Sequence, residues 1–382
     1  MAERVYGERE IELLRQVLAS RNLGALSGKF TPMFEEKFAR LVGTRYAVAM
    51  NCAMSVLHAS LMCAGVGAGS EVICDSLFIF GALAALYTNA LPKFVDIHPV
   101  SHCLDPDKLE VAITERTKAV VVTHAWGLPA EMDRIVEIAH RYKLVVIEDC
   151  AHAILATYKG RYTGSWGDIG SFSFQASKQM SLGDGGMATT SNEQLANKLD
   201  LHSGAPTFHS VAHGLHYNYR LNELTSAVGI AQLEQLPDFI KGLQKVAGYY
   251  DQAIAGCSYL VPQQFPGSVS TYHLWAATFD GERYGLSLAG FKNFLEREKI
   301  TEFVNLGYTG MPAYKHPVIK DKLAHAFHCQ ENQPGIDYCD GLCPVAERVI
   351  PRILLTSTVI PEEKAQENAE RLYQALRKLE GK

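Results

Sequence analysis

Runs of lysine and arginine are absent from this 382-residue sequence, whose formal net charge is -5. Their absence excludes the basic surface of a nucleic-acid-binding protein and a polybasic membrane patch. The longest apolar stretch, from Leu77 to Tyr87, is about half as long as a membrane-spanning helix must be. We therefore expect neither a nucleic-acid partner nor a membrane span.

A disulfide framework and a secretory signal are also missing. The nine cysteines show no even spacing, and the opening segment MAERVYGEREIELL is charged. We therefore expect reduced cysteines and a cytoplasmic location. Within the opening segment Ile11, Leu14 and Leu18 recur at helical spacing, which predicts an amphipathic helix that covers another surface with this face.

The remaining pattern is typical of a two-domain α/β protein. Hydrophobic residues make up 47% and charged residues 20% of the chain, and no internal repeat or low-complexity tract occurs. From Tyr46 to Ile230 helical patterns alternate with short apolar runs, the clearest being YAVAMN, EVICDS, PKFVDI, KAVVVTH and KLVVIED. This rhythm predicts a mostly parallel central sheet. We place a large domain at residues 1–240 and a smaller C-terminal α+β domain at 241–382, closed by a helix in EKAQENAERLYQALRKLE.

Polar residues follow four of the predicted strands. Asn51, Asp75, His124 and Asp149 come directly after, or end, their apolar runs. Ligands of open α/β sheets bind beyond the carboxyl ends of the strands. These positions are therefore the first candidates for a site.

The stretch from Val146 to Thr190 carries the strongest chemical pattern. It contains Asp149 at a strand end, a hairpin turn at Lys159-Gly160, and Lys178 ahead of a glycine-rich segment. Pyridoxal 5'-phosphate (PLP) enzymes need an amine for the aldehyde, an anion for the pyridine nitrogen and donors for the phosphate. Lys178 can form the Schiff base and later move a proton, while Asp149 can pair with the ring.

Each of these residues also has an ordinary structural interpretation. A lone lysine is mostly a solvated surface charge, and a strand-end aspartate is often a helix cap. A serine such as Ser173 can simply satisfy its own strand. Only the combination favours a cofactor site.

In this stretch the sequence resembles the DegT/DnrJ/EryC1/StrS family of sugar aminotransferases, which are PLP enzymes with the aspartate-aminotransferase (type I) fold. The similarity covers nearly the whole chain, and its further matching segments keep the family's order: GAGSEVI, FVDIHPVSHCLDPDKLEVAIT, THAWGLPAEMD and NYRLNELTSAVGIAQLEQL. The resemblance implies transfer of an amino group from glutamate or glutamine to a keto-sugar or keto-cyclitol, with pyridoxamine 5'-phosphate formed in the cycle. Such reactions belong to the biosynthesis of amino sugars, aminocyclitols and antibiotics.

The resemblance also implies a role for individual residues. Lys178 becomes the Schiff-base lysine, Asp149 the pyridinium partner, and Ser173 a phosphate ligand. His152 contacts the ring where most relatives have glutamine. Asn218 and Arg220 belong to a motif that lies near the partner subunit's phosphate, which implies a homodimer with shared active sites.

Two segments depart from the family pattern. Relatives carry Ser-Gly-Thr after the first strand, but this chain has Cys52-Ala53-Met54. The amides of Ala53 and Met54 and the hydroxyl of Ser55 can still bind the phosphate, because a helix N-terminus attracts anions. The aromatic residue that stacks on the ring in relatives aligns with Ile79, and a shift of one residue presents Phe78 or Phe80 instead, since alternate strand residues share a face.

The segment from Asp337 to Ser357 is a candidate zinc site. It contains Cys339, Cys343, Glu347 and Arg352, with His325, His328 and Cys329 upstream. No second clear ligand pair follows the Cys-x3-Cys spacing, so we predict no metal. Arg352 remains a candidate substrate contact.

Two other functions stay open at this point. One is a PLP-dependent dehydration or elimination on a sugar, although the dehydrating branch of the family carries histidine in place of Lys178. The other is a non-catalytic homologue that has kept the fold. The presence of both Lys178 and Asp149 argues against the latter.

Overall fold

The computed structural model describes residues 4–204, 216–303, 310–328 and 336–381. The helices are α1 (Glu8–Ser20), α2 (Phe30–Val42), α3 (Ala53–Cys63), α4 (Phe80–Tyr87), α5 (Met132–Arg141), α6 (Glu193–Ser203), α7 (Glu223–Ala253), α8 (Leu288–Arg297), α9 (Pro317–Lys320), α10 (Pro344–Val349) and α11 (Glu362–Leu379). The strands are β1 (Tyr46–Met50), β2 (Glu71–Asp75), β3 (Leu91–Val95), β4 (Thr117–Thr123), β5 (Val145–Asp149), β6 (Thr157–Tyr158), β7 (Arg161–Tyr162), β8 (Ile169–Ser173), β9 (Gly186–Thr190), β10 (Leu260–Pro262), β11 (Ser268–Val269), β12 (Leu274–Phe279) and β13 (Ile353–Ser357).

A seven-stranded sheet in the order β1-β9-β8-β5-β4-β2-β3 forms the centre of the large domain. β9 runs antiparallel to both β1 and β8, and the remaining neighbours in this sheet are parallel. Its strands are buried because helices cover both faces, which explains their continuous apolar runs. The predicted α/β fold with a mostly parallel sheet is confirmed.

The C-terminal part contains a second sheet in the order β10-β12-β13, whose strands are all antiparallel. The closing helix predicted from the sequence is α11, and it packs on α7. α7 runs unbroken for 31 residues across the proposed domain boundary at residue 240. Both parts of the chain therefore share this helix, and the division into 1–240 and 241–382 stays a prediction.

Helix α1 forms as predicted, but its buried face is different from the expected one. Leu13 and Val17 are buried against α7, whereas Ile11 and Leu18 are exposed. Both faces carry apolar residues at helical spacing, so the periodicity alone did not select between them. Among the described helices, none combines the length and apolarity needed to cross a bilayer.

Gly186 at the start of β9 allows that strand to lie directly against the first residues of α3. A Cβ atom at this position would lie 2.6 Å from the carbonyl carbon of Cys52 and 2.8 Å from the amide nitrogen of Ala53. Both contacts involve backbone atoms, which cannot move aside as a flexible side chain can. The position of the α3 N-terminus therefore depends on glycine here.

Replacing Gly186 with alanine should destabilise the fold by about 1 to 3 kcal/mol, because an added carbon overpacks this contact. Gly248→Ala is the matched control: its Cβ would have no atom within 4 Å in α7. The control should be neutral or stabilising by up to about 1 kcal/mol. Urea unfolding of both variants measures the difference, and equal midpoints would contradict the close approach.

Candidate active site

A cavity of about 320 Å³ opens at the carboxyl ends of the central strands. Thr123 of β4, Asp149 of β5 and Ser173 of β8 lie at its floor. The other described residues that line it are Cys52, Ala53, Met54, Leu57, Phe78, Phe80, Ala151, His152, Gln175, Ser177, Lys178 and Asp184. The structure thus brings together Ala53, Met54, Asp149, His152, Ser173 and Lys178 from the predicted set.

Lys178 and Asp149 line the same cavity, and their opposite charges interact. Burial lowers the pKa of the Lys178 amine to about 8, and the negative charge of Asp149 partly opposes that shift. Burial also raises the pKa of Asp149, against the hydrogen bond from the Ala151 amide and the positive charge of Lys178. One carboxylate oxygen of Asp149 accepts a hydrogen bond from the Ala151 amide at 3.1 Å. A lysine with a lowered pKa has a larger neutral fraction, which is the form that acts as a nucleophile or a base.

His152 lines the cavity and belongs to a stack of rings whose other members, His273 and Trp126, are not lining residues. Its imidazole lies 4.3 Å from the ring of His273 at 15° and 5.8 Å from that of Trp126 at 12°. Burial, with the nearby charge of Lys178, holds the pKa values of His152 and His273 well below the usual range. Nδ1 of His152 is buried and has no hydrogen-bond partner among the described residues. His152 is therefore neutral and retains a polar atom for a ligand.

His273 reaches the ring of His152 because Gly127, which has no side chain, lets two loops touch. A Cβ at Gly127, whose φ is 110°, would lie 2.6 Å from the amide nitrogen of Tyr272. His273 is far from His152 in sequence, and no local motif marked it. Its place beside His152 could therefore not be predicted from the sequence.

The N-terminus of α3 forms one wall of this cavity. Cys52 is the N-cap residue, and its side chain makes no capping hydrogen bond to the helix. The first amides of a helix have no partner within the helix, so those of Ala53 and Met54 are available to an anion. Ser55 differs from the prediction: it is not among the lining residues, and its hydroxyl donates to Asn51 Oδ1 at 2.6 Å.

Ile79, the residue expected to stack on the cofactor ring, does not hold the expected position. Ile79 is the N-cap of α4 and does not line the cavity, whereas Phe78 and Phe80 on either side of it do. The segment is a helix start rather than a strand. Asp75 shapes it, because its Oδ1 accepts the amides of Leu77 at 3.0 Å and Phe78 at 2.8 Å. The ring of Phe78 packs edge-on against His152 at 5.3 Å.

Asn218 and Arg220 lie outside the cavity of their own chain. Arg220 forms an isolated backbone bridge with Met50 at the end of β1. Its Nη1 is buried without a hydrogen-bond partner among the described residues. The geometry of a single chain therefore gives neither residue a role in that chain's own cavity.

Glu148 lies next to Asp149 and has a structural role. Its carboxylate accepts the amides of Gly164, Trp166 and Gly167 at 2.9, 2.7 and 2.7 Å. It also bonds at 3.0 Å to Nε2 of His124, whose Nδ1 accepts the Ala130 amide. His124 is thus fixed with its proton on Nε2. His124, Glu148 and Cys150 cluster as metal ligands do, but these hydrogen bonds already occupy the His124 and Glu148 atoms.

No residue of the candidate zinc segment, Asp337 to Ser357, lines this cavity. Cys343 is buried, which raises the pKa of its thiol to about 12, and Cys339 is exposed. Cys329 lies outside the described residues, and the described ranges hold no metal-like cluster at Cys339 or Cys343. Arg352 bonds to Glu282 at 2.5 Å and lines a separate surface pocket, away from Lys178.

Comparison with known proteins agrees with this geometry. The model of the DegT/DnrJ/EryC1/StrS aminotransferase family matches residues 5–333. GDP-perosamine synthase of Caulobacter vibrioides is 36% identical over 303 residues, which is 78% of this chain and 80% of that protein. A putative L-glutamine:3-amino-2,3-dideoxy-scyllo-inosose aminotransferase of Micromonospora echinospora is 36% identical over 60% of this chain and 57% of its own. The structure of S. venezuelae DesV with a ketimine intermediate has a TM-score of 0.81 and 28% identity, covering 98% of this chain and 94% of that one.

The sheet, the half-buried lysine of the cavity and the strand-end aspartate define a transferase of the type I PLP-dependent fold. The chain belongs to the DegT/DnrJ/EryC1/StrS aminotransferase family. The resemblance in the sequence is confirmed, and so is the assignment as an aminotransferase.

The burial of Lys178 predicts a pH dependence of stability in the cofactor-free protein. Its folded pKa of about 8 lies below the ordinary value of 10.5, so the unfolded chain binds more protons between these values. Stability should therefore rise with pH in this window, by about 2 kcal/mol from pH 8 to pH 10 through this residue. Urea unfolding of wild type and Lys178→Met at both pH values isolates the effect. An identical pH slope in the two proteins would contradict the burial of the amine.

Proposed function

We propose that this chain uses PLP, bound through Lys178, to transfer an amino group from glutamate or glutamine to a keto-sugar or keto-cyclitol. The observation that carries the proposal is the pairing of a half-buried Lys178 with a buried Asp149 in one cavity at the carboxyl edge of the sheet. The same cavity holds an uncapped helix N-terminus. A packed core requires none of these features, since buried charges are costly.

The residues present fit PLP at every part of the cofactor. Ala53 and Met54 would hold the phosphate through their amides, together with the Ser173 hydroxyl at the end of β8. Asp149 would pair with the ring nitrogen, and the unpartnered Nδ1 of His152 would meet a polar ring substituent. When bound, PLP withdraws electrons from the carbon that bears the amino group, which makes exchange of amine for carbonyl possible.

The remaining chemistry belongs to the chain. Lys178, when its amine is free, would take a proton from the substrate carbon and deliver it to the cofactor carbon, and a pKa of about 8 keeps a useful neutral fraction near neutral pH. Phe78 and Phe80, with Leu57, give the cavity an apolar wall that keeps water away from Lys178. We propose that these aromatic residues replace Ile79 as the ring contacts.

A second copy of the chain completes the site in this proposal. No arginine occurs among the described residues that line the cavity. Arg220 has a buried Nη1 without a partner in the described part of its own chain, and Asn218 precedes it by two residues. We propose that both reach the phosphate end of the second copy's cavity in a homodimer. The cytoplasmic location stays a prediction.

The relatives support the choice of donor and acceptor. The Micromonospora echinospora protein carries L-glutamine and a cyclitol ketone in its name, and GDP-perosamine synthase carries a nucleotide-linked amino sugar. Both names describe cyclic compounds, one a cyclitol and the other a sugar. The proposed acceptor is therefore a cyclic ketone of this class.

The decisive experiment locates the cofactor and scores the reaction. Purified protein should bind PLP with visible absorbance, and borohydride reduction should add the pyridoxyl mass to the peptide that contains Lys178. Glutamate or glutamine should abolish the visible band, and a panel of keto-sugars and keto-cyclitols scored by mass spectrometry should give an amino product. Lys178→Ala should bind pyridoxamine phosphate and lose turnover by at least about 10³-fold. A protein that stays colourless with PLP, or a pyridoxyl group found on another lysine, would contradict the proposal.

Asp149 provides an independent check of the ring-nitrogen assignment. Asp149→Asn removes the charge but keeps the shape, so PLP should still bind while turnover falls by about 10²-fold. Asp107→Asn is the matched control, because that carboxylate is exposed and pairs only with surface groups such as Arg134. Steady-state rates of both variants are compared with wild type. Undiminished turnover in Asp149→Asn would show that the ring nitrogen faces another group.

A further inference from the structure

The loop of residues 174–185 carries Lys178 from β8 to β9. Its base is closed by two backbone hydrogen bonds, from the Phe174 amide to the Gly185 carbonyl at 2.9 Å and from the Leu182 amide to the Phe174 carbonyl at 2.8 Å. The Lys178 amide bonds to the Gln175 carbonyl at 2.8 Å. These bonds leave several outward carbonyl groups of the loop to find partners elsewhere.

The segment of residues 4–7, which precedes α1, supplies those partners. Arg4 donates from Nη1 to the Ala176 carbonyl at 3.1 Å and from Nη2 to the Ser177 carbonyl at 3.0 Å. The Tyr6 hydroxyl donates to the Ser181 carbonyl at 3.0 Å. The two side chains therefore hold the loop of residues 174–185, which we call the lysine loop, on both sides of Lys178.

This segment is itself held by the long helix α7. Gln232 donates from Nε2 to the Val5 carbonyl at 2.8 Å and to Glu10 Oε1 at 2.8 Å. The guanidinium of Arg4 lies over the ring of Phe239 at 6.0 Å. Both Gln232 and Phe239 belong to α7, so the position of the Arg4 side chain is set by a packed element and not by a free chain end.

A second contact fixes the loop from the opposite direction. Gln179 is buried and donates from Nε2 to the Thr271 carbonyl at 2.8 Å. It fixes the residue after Lys178, whereas Arg4 fixes the two residues before it. Without Arg4 the chain from Gln175 to Lys178 would be held only at its two ends, by Phe174 and Gln179, and by the bonds from Ser177 to the Gln175 side chain within the loop.

We propose that Arg4 and Tyr6 are positioning residues that hold the lysine loop so that the Lys178 amine faces Asp149. The proposal rests on the function proposed above, because it assigns these residues to the support of Lys178. A reacting group that is displaced by about 1 Å loses much of its rate advantage, so the loop must be restrained. Charge-assisted hydrogen bonds from one guanidinium to two neighbouring carbonyls restrain it in direction as well as in distance.

Hydrogen exchange of the PLP-free protein tests the restraint without any need for activity. Arg4→Ala should speed exchange of the amides of residues 176–182 by about tenfold, and Tyr6→Phe by about threefold, because each loses local hydrogen bonds. Arg9→Ala and Tyr142→Phe are the matched controls. Arg9 pairs with Glu12 and Glu234, and Tyr142 bonds to Glu110, all on the surface. Both controls should leave this loop at the wild-type rate.

The PLP-loaded enzyme gives the second measurement. In Arg4→Ala, PLP should dissociate about tenfold faster and kcat should fall about tenfold, while KM for the amino donor changes by less than about twofold. Arg4→Lys keeps the charge and should recover part of both losses. A merely structural role for Arg4 would lower the melting temperature but leave kcat and the PLP dissociation rate unchanged, and would thereby overturn the proposal.

The outcomes separate this inference from the proposed function. If wild type fails to take up PLP on Lys178, the proposed function fails, and the exchange data still decide whether Arg4 and Tyr6 restrain the loop. If wild type takes up PLP but the loop exchanges at the same rate in both variants, only this inference is overturned. Should Arg4→Ala not fold, Tyr6→Phe decides, because it removes a single hydroxyl from a side chain that is 53% exposed.

Discussion

The parallel register of three neighbouring strands is the constraint on which the site depends. Thr123, Asp149 and Ser171 are direct partners across β4, β5 and β8, so the carboxyl ends of these strands lie level with one another. β9 then returns antiparallel, and the turn between β8 and β9 passes over the same edge. This return brings Lys178 into the same cavity as Asp149. A shift of one residue in either of these two parallel pairings would turn the site residues to the opposite face of the sheet.

Low polarity inside the cavity decides the protonation states of its groups. Burial lowers the pKa of Lys178 and of His152 and raises that of Asp149, so each group is pushed toward its neutral form. The mutual attraction of Lys178 and Asp149 opposes this trend but does not reverse it for the lysine. Such a combination is costly for an isolated fold, and groups with shifted pKa values gather where chemistry needs them. Rigid surroundings, including the ring stack on His152, keep the groups close despite that cost.

Local patterns predicted most of the helices and strands. They failed where contacts in the folded structure select one of several possible backbone conformations or hydrogen-bond partners. The alternation around Phe78 and Phe80 was interpreted as a strand, yet Asp75 bends the chain into a helix start there. Ser55 was expected at the phosphate, yet its hydroxyl turns to Asn51. In each case a short polar side chain bonded to a backbone or amide group nearby. Sequence periodicity carries no information about that competition.

The sequence by itself determined the alternating α/β order, the polar residues at the strand ends and the association of Lys178 with Asp149. These features depend on residue type and local spacing, which a single chain displays directly. Tertiary structure alone decided which face of α1 is buried, that His273 stacks on His152, and that Arg4 reaches carbonyl groups 172 and 173 residues away. Contacts of that separation depend on how packed elements cross. The free energy that selects them comes from burial across the whole fold rather than from any local segment.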